Sequence, residues 1–249
     1  MSHRDSLIKK NKELSKPMDL MNVGFVGVAG GAGGWDYEDD FSTDKGWTAT
    51  GTGNQIDTAN SQLDFNLPRG NAFRGLYIPT TDTDVFGANF SDTAYIIRFH
   101  ALNYSTLNTT YGYSPLLQAQ RDGGDHSEAV DDALSAWCLP STQYTNRFGA
   151  MANDEGTRTA NNSNATTWAT GTDYFIENIR NSATEMKSTR STTDSFDADE
   201  HEQILTIPST ITGLKNITIQ SDYAGSMSSR INIGTINQIQ AMKEVNTAP

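Results

Sequence analysis

Tyr174-Phe175-Ile176-Glu177-Asn178-Ile179-Arg180, Asn216-Ile217-Thr218-Ile219-Gln220 and Ile231-Asn232-Ile233-Gly234-Thr235-Ile236 decide how this chain folds. Each is a short run rich in β-branched or aromatic residues, and Gly, Ser, Asn and Asp turns separate them, as in an antiparallel sandwich. Ile207-Pro208-Ser209-Thr210-Ile211-Thr212-Gly213-Leu214 reads as part of the same series. Upstream, Leu63, Phe65 and Leu67 share one face of a strand while Gln62, Asp64 and Asn66 take the other. Ile217 and Ile219 oppose Asn216, Thr218 and Gln220 in the same manner. A period of two sets one face on the core and the other in water. Residues 93–99 are apolar on both faces, which predicts a central strand. Gly234, between Ile233 and an Ile236 of opposite parity, predicts a bulge or a bend between sheets. The middle of the chain is less regular. Residues 121–134 read as a loop ending in a turn or two of helix. Residues 153–167 are nearly all small and polar and read as a long exposed loop, where sandwiches tend to place binding.

The chain has 249 residues, enough for one large sandwich that buries its own core without disulfides. The one cysteine, Cys138, cannot pair within the chain, so a buried and unreactive thiol is expected. Hydrophobic residues make up 36% and mean hydropathy is −0.54, consistent with many turns and polar sheet faces. Net charge is −12. Residues 1–16 hold Arg4, Lys9, Lys10, Lys12 and Lys16 against Asp5 and Glu13, a local +3, so the remainder carries −15. An acidic body repels phosphate backbones, which argues against direct nucleic-acid binding. The least polar stretch, 23–34, is too short and too rich in glycine to span a membrane, and it makes a poor signal peptide. Residues 1–34 therefore read as an arm ahead of a domain at 35–249. Its basic leader forms a short helix ended by Lys16-Pro17. Val23, Phe25, Val26 and Val28 then suit an extended assembly segment pressed against a neighbouring subunit.

Asp39-Asp40-Phe41-Ser42-Thr43-Asp44-Lys45-Gly46-Trp47 and Ser91-Asp92-Thr93-Ala94-Tyr95-Ile96-Ile97-Arg98-Phe99, with the closing strands quoted above, resemble the concanavalin A-like (laminin-G-like) jelly-roll modules. The likeness is to the versions in marine archaea, archaeal viruses and tailed phages, over about residues 39–245. It implies an all-β fold: a two-sheet antiparallel jelly-roll sandwich whose first and last strands lie together, here preceded by an extended N-terminal arm. A surface module without an export signal fits a virion protein, which assembles inside the cell and acts outside it. The function this implies is a non-enzymatic virion surface protein, either capsid decoration or a tail or fibre component. Its partners would be other virion subunits and copies of itself, with host surface glycans as the attachment target. The alternatives are a secreted or cell-surface glycan-binding lectin and, behind it, a laminarinase-like glycoside hydrolase.

Laminarinase-like relatives alternate carboxylates along one strand as nucleophile, helper and acid. Asp197-Ala198-Asp199-Glu200-His201-Glu202 does not reproduce that spacing, and no catalytic residue is assigned. The glycine run lacks a phosphate-binding pattern and there is no Gly-x-Ser-x-Gly elbow. His3, His100, His126 and His201 are scattered and one cysteine makes no structural zinc site. Many relatives bind calcium, and clustered hard oxygens suit that ion. Its candidate ligands are Asp36, Glu38, Asp39 and Asp40, with Asp82 and Asp84. Relatives often carry an Asp pair on the last strand where this chain has Asn237-Gln238. Sugar recognition needs aromatic platforms beside amides and hydroxyls. Tyr111, Tyr113, Trp137, Tyr144 and Trp168 are the candidates, with Asn108, Gln143 and Asn146 alongside, while Trp47 is assigned to the core.

Overall fold

The structure, a computed structural model, describes residues 35–68, 75–78, 90–107, 115–121, 132–140, 147–163, 167–195, 201–221 and 231–243. No helix occurs among them. The strands are β1 Tyr37–Asp39, β2 Thr48–Thr50, β3 Gln55–Asp57, β4 Gln62–Pro68, β5 Gly75–Tyr77, β6 Tyr95–Thr106, β7 Leu116–Gln120 and β8 Ala133–Leu139. They continue with β9 Arg147–Asp154, β10 Thr157–Ser163, β11 Asp173–Ser182, β12 Glu185–Ser191, β13 His201–Thr206, β14 Asn216–Gln220, β15 Ile231–Ile236 and β16 Gln238–Met242. A nine-stranded sheet runs β13-β12-β11-β6-β15-β4-β3, with β16 joining β6 to β1. A seven-stranded sheet runs β10-β9-β8-β7-β14-β5-β2. All the strand pairings are antiparallel.

The predicted central strand is β6, and its length lets it serve two partners on one side. Its first half pairs with β16 and its second with β15, and Asn237 between those strands donates its N–H to His100 O. Ala101 sits at φ 53 where the register against β11 shifts between Tyr174 and Ile176. The extra residue of this bulge absorbs the switch of partners. The first and last strands lie together, as expected: Tyr37 pairs with Ala241 and Asp39 with Ile239. Gly234 lies at the register shift of β15 against β6, and close approach also demands it. A Cβ there would stand 2.1 Å from Asn103 O and 2.5 Å from Phe65 Cζ.

The inward parity of each sheet supplies the core. Leu63, Phe65 and Leu67 of β4, Tyr95, Ile97 and Phe99 of β6, and Ile176 of β11 meet Leu117, Leu134, Phe148, Ile217 and Ile219 of the other sheet. Burying each large side chain fully is worth about 1.5–3 kcal/mol. Two arginines, Arg180 and Arg190, are also buried there. Arg180 gives its Nε and Nη2 hydrogens to the carbonyls of Ser182, Ala183 and Ile211. Arg190 lies over the rings of Trp168 and Tyr174, 4.9 and 4.8 Å from the centroids. Cys138 is fully buried, and burial pushes its thiol pKa well above the ordinary range, so it is inert as expected.

The opening motif is a clasp. Asp39, with no exposed surface, accepts hydrogen bonds from Tyr37 OH at 2.8 Å, Phe41 N at 2.9 Å and Trp47 Nε1 at 2.8 Å. Asp44 caps the turn by accepting from the N–H groups of Gly46 and Trp47. The Phe41 ring meets the Trp47 indole edge-on.

Four expectations change. Residues 153–167 are not one loop, because β9 and β10 form a hairpin turned at Glu155-Gly156, both at positive φ. The all-polar composition reflects an edge strand whose described residues are exposed, rather than a lack of structure. Residues 133–134 begin a strand, β8, instead of ending a helix, since Leu134 packs in the core. Residues 207–215 are a turn-containing connection that buries Ile207, Ile211 and Leu214 without joining a sheet. Finally, Asn216, Thr218 and Gln220 do not face water: they are 0%, 0% and 5% exposed.

Candidate functional site

That last departure marks the site. On β14, β7 and β8 the parity opposite to the core carries Asn216, Thr218 and Gln220, then Leu116, Gln118 and Gln120, then Ala133, Ser135 and Trp137. Register aligns these side chains into rows across the strands. Thr218 faces Gln118, and Gln118 faces Ser135. Gln220 faces Leu116, which faces Trp137, which faces Gly149 of β9. Asn216 faces Gln120, which faces Ala133. At the usual strand spacing the three strands make a field about 10 Å across.

The field is polar, buried and incompletely bonded. Gln118 and Gln120 are each 2% exposed and Ser135 is 1% exposed. Among the described residues, no hydrogen-bond partner exists for Gln118 Nε2, Gln120 Oε1, Ser135 Oγ, Asn216 Oδ1, Thr218 Oγ1 or Gln220 Oε1. Each unpaired buried group costs about 1–3 kcal/mol, so six on one face are a large concentration of unmet bonding capacity. All six lie on β14, β7 and β8, while Tyr95 Oη, Arg180 Nη1 and Thr189 Oγ1 of the other sheet are likewise buried without a partner. None of the three strands carries a charged residue.

Of the residues proposed from the sequence, Trp137 belongs to this face and is the half-buried member of β8. Gly149, its cross-strand neighbour, adds no side chain next to the indole. Trp168 is corrected to a core residue. It is buried, donates from Nε1 to Arg147 O at 3.1 Å, and packs against Tyr104, Phe148 and Tyr174. Tyr111, Tyr113 and Tyr144 lie outside the described residues, as do Val23, Phe25, Val26 and Val28 of the arm. Of the five amides and hydroxyls that join Gln118 in this face, alternation alone predicts a solvent-facing position for Asn216, Thr218 and Gln220 and singles out neither Gln120 nor Ser135. The available signal was Gln118 and Gln120 inside an otherwise apolar Leu116–Gln120, and the three polar residues of β14 at period two.

Asp36, Glu38, Asp39 and Asp40, proposed as calcium ligands, do not converge. Alternation turns Asp39 into the clasp, while Glu38 accepts from Gln238 and Gln240 on the far side of β16. Asp36 accepts from Lys243 N, and Asp40 accepts from the backbone and hydroxyl of Ser42, which lowers its pKa. Among the described residues, no three His, Cys, Asp or Glu side chains group as metal ligands do, so these four acids do not fit a calcium cage. Asp82 and Asp84 lie outside the described residues. No helix among the described residues is long and apolar enough to cross a membrane.

No family model and no curated protein sequence matches the chain. Solved structures do. The exoplasmic/lumenal domain of VIP36, in its Ca2+/Man3GlcNAc-bound form, superposes with a TM-score of 0.55 at 12% identity, covering 86% of this chain and 92% of that one. The carbohydrate recognition domain of Emp47p superposes with a TM-score of 0.54 at 9% identity, covering 87% and 100%. The GH43 protein BlXynB from Bacillus licheniformis gives 0.53 at 10% identity, covering 83% of this chain but 39% of that one. At such identities the likeness is one of fold: this chain is built as a jelly-roll sandwich of the kind found in these domains.

Proposed function

We propose that the protein is a glycan-binding module of lectin type that performs no chemistry on its ligand. The observation that carries this reading is the set of buried amide and hydroxyl groups without partners on the outward face of β14, β7 and β8. Unmet polar groups beside an aromatic are what sugar recognition uses, hydroxyls filling the bonds while a ring face stacks on the indole. Glycan-bound VIP36 and the Emp47p recognition domain share the architecture, which supports the reading. Hydrolysis would need two carboxyl groups about 5–9.5 Å apart flanking the bond, and β14, β7 and β8 carry none. The test is binding of the full chain to an immobilised glycan panel. Trp137→Ala should weaken retention about tenfold, or about 1.4 kcal/mol, at unchanged melting temperature. Failure of the native chain to retain any glycan would sink the proposal.

The finer reading, a virion subunit docked through Val23, Phe25, Val26 and Val28, rests on the sequence of residues 1–34. A truncation beginning at Trp35 tests it by asking whether the sandwich still joins a particle. The glycan-binding reading holds for a virion-displayed, secreted or cell-surface protein alike, and it is the better supported.

A further inference from the structure

We propose that residues 192–195 are a pH-gated strap, latched to the outward face of the nine-stranded sheet when His100 is protonated and let go when it is neutral. The strap lies on the sheet opposite β14, β7 and β8 and does not depend on what the protein binds. His100, on β6, is 8% exposed. Its Nδ1 lies 2.8 Å from Asp194 Oδ1, and its Nε2 lies 2.9 Å from Gln240 Oε1 of β16. β12 ends at Ser191, and β11 separates it from β6. The Asp194 contact therefore bridges the width of β11, about 10 Å from β12 to β6. Phe175 of β11 meets the imidazole edge-on there, with ring centroids 6.1 Å apart.

The hydrogen bonds fix the protonation state that the latch needs. The Glu38 carboxylate only accepts, and its Oε1 takes bonds from Gln240 Nε2 at 2.9 Å and Gln238 Nε2 at 2.6 Å. The Gln240 amide is thereby held with its carbonyl toward His100. Both ring nitrogens then face acceptors, so both must donate, and only the imidazolium does so. A neutral ring turns one lone pair against an oxygen. Gln240 cannot rotate without setting its own carbonyl against Glu38. Asp194 has no second hydrogen bond or ion pair among the described residues, and its side chain is 67% exposed, so it is the member that leaves. The charged groups on this face around the ring, among the described residues, are Arg98 on β6, Asp173 and Glu177 on β11, Glu38 on β1 and Asp194 itself. Arg98 pairs with Glu177 at 2.7 Å, and Asp173 accepts from Asn103 Nδ2. Asp194 and Glu38 remain to attract a positive ring. Histidine changes charge between about pH 5 and 8, so the strap is closed at the acid end of that range and open at the other.

The experiment follows amide hydrogen exchange of residues 192–195 in the full chain at about pH 5 and about pH 8, normalised to intrinsic rates, together with nitrogen NMR of the His100 ring. In the native protein both ring nitrogens should carry a proton at the acid end, and protection of the segment should fall about tenfold or more at the alkaline end. His100→Gln still donates to Asp194 but does not titrate, so its protection should not respond to pH. Asp194→Ala should be as open in acid as the native chain is in alkali. Its melting temperature at the alkaline end should match the native value, which separates an open strap from a damaged fold. Equal native protection at the two pH values overturns the proposal. A pH response that persists in His100→Gln overturns it as well, as does a His100 ring with a single proton at the acid end.

Discussion

Replacing Asp39 by alanine removes the acceptor of three hydrogen bonds in one step. Tyr37 OH, Phe41 N and Trp47 Nε1 all donate to it within 2.9 Å, and all three residues are buried. Bonds to an ionised acceptor contribute about 1.5–3 kcal/mol each. Against their loss stands the several kcal/mol recovered when a buried carboxylate no longer has to be desolvated. The donors left behind cannot reach water, and Phe41, at φ 57, loses the bond that holds it in a left-handed conformation. The net is a destabilisation of about 3–5 kcal/mol, as for other buried charges whose bonding set is broken. For a domain of this size that lowers the melting temperature by about 6–20 °C. Urea unfolding of the full chain at pH 7, followed by tryptophan fluorescence, measures it. Asp40→Ala is the matched control: its carboxylate caps an exposed turn, and the midpoint should not move. A loss below about 1 kcal/mol in Asp39→Ala would refute the clasp as the element that ties the first strand to the core.

Gly234→Ala places a methyl 2.1 Å from Asn103 O on the neighbouring strand, so it should cost at least about 3 kcal/mol or prevent folding, as judged by the same unfolding curves. Near-native stability would mean that β15 and β6 are not so close. Stability should also fall steeply in alkali. Tyr95, Tyr104 and Cys138 are fully buried, and burial raises all three pKa values far above those of free phenol and thiol side chains. Above pH 9 the unfolded chain releases protons that the folded one keeps, so stability is full below that pH and lost above it. The slope is about 1.4 kcal/mol per pH unit for each group, with Cys138 first and the tyrosines from about pH 10. Urea midpoints from pH 7 to 11 check this, and a flat profile would show that the three are reachable by water.

The clean alternation of Leu63, Phe65 and Leu67 was legible because side-chain direction in a strand depends on local geometry alone. So was β6, apolar on both faces and therefore covered on both. The β9–β10 hairpin was hidden by composition: an edge strand needs no apolar face, so Thr, Asn and Ser look like loop. Trp168 looked like a sugar platform because nothing local distinguishes an exposed indole from one packed under a buried arginine. Trp137, a glycan candidate from the sequence, lies on the outward parity of β8. Its company was not legible, since Gln118 and Ser135 are 17 positions apart along the chain and become neighbours only through pairing of β7 with β8.

The amino-acid sequence by itself determined the class of fold, the parity of its strands and the buried thiol of Cys138, while the meeting of first and last strands was implied by the family resemblance alone. The first three follow from period, turn chemistry and hydrophobicity, which act over a few residues. Tertiary structure alone decided that the polar parity of β14 and β7 is buried rather than solvated, and that Asp39 closes a clasp instead of joining a cluster of acids. It also aligned amides and hydroxyls from three strands into one field. The reason is that register and sheet order are long-range. A polar residue at period two is written the same way whether its face is solvated or buried, and only the neighbours brought by the other strands tell the two apart.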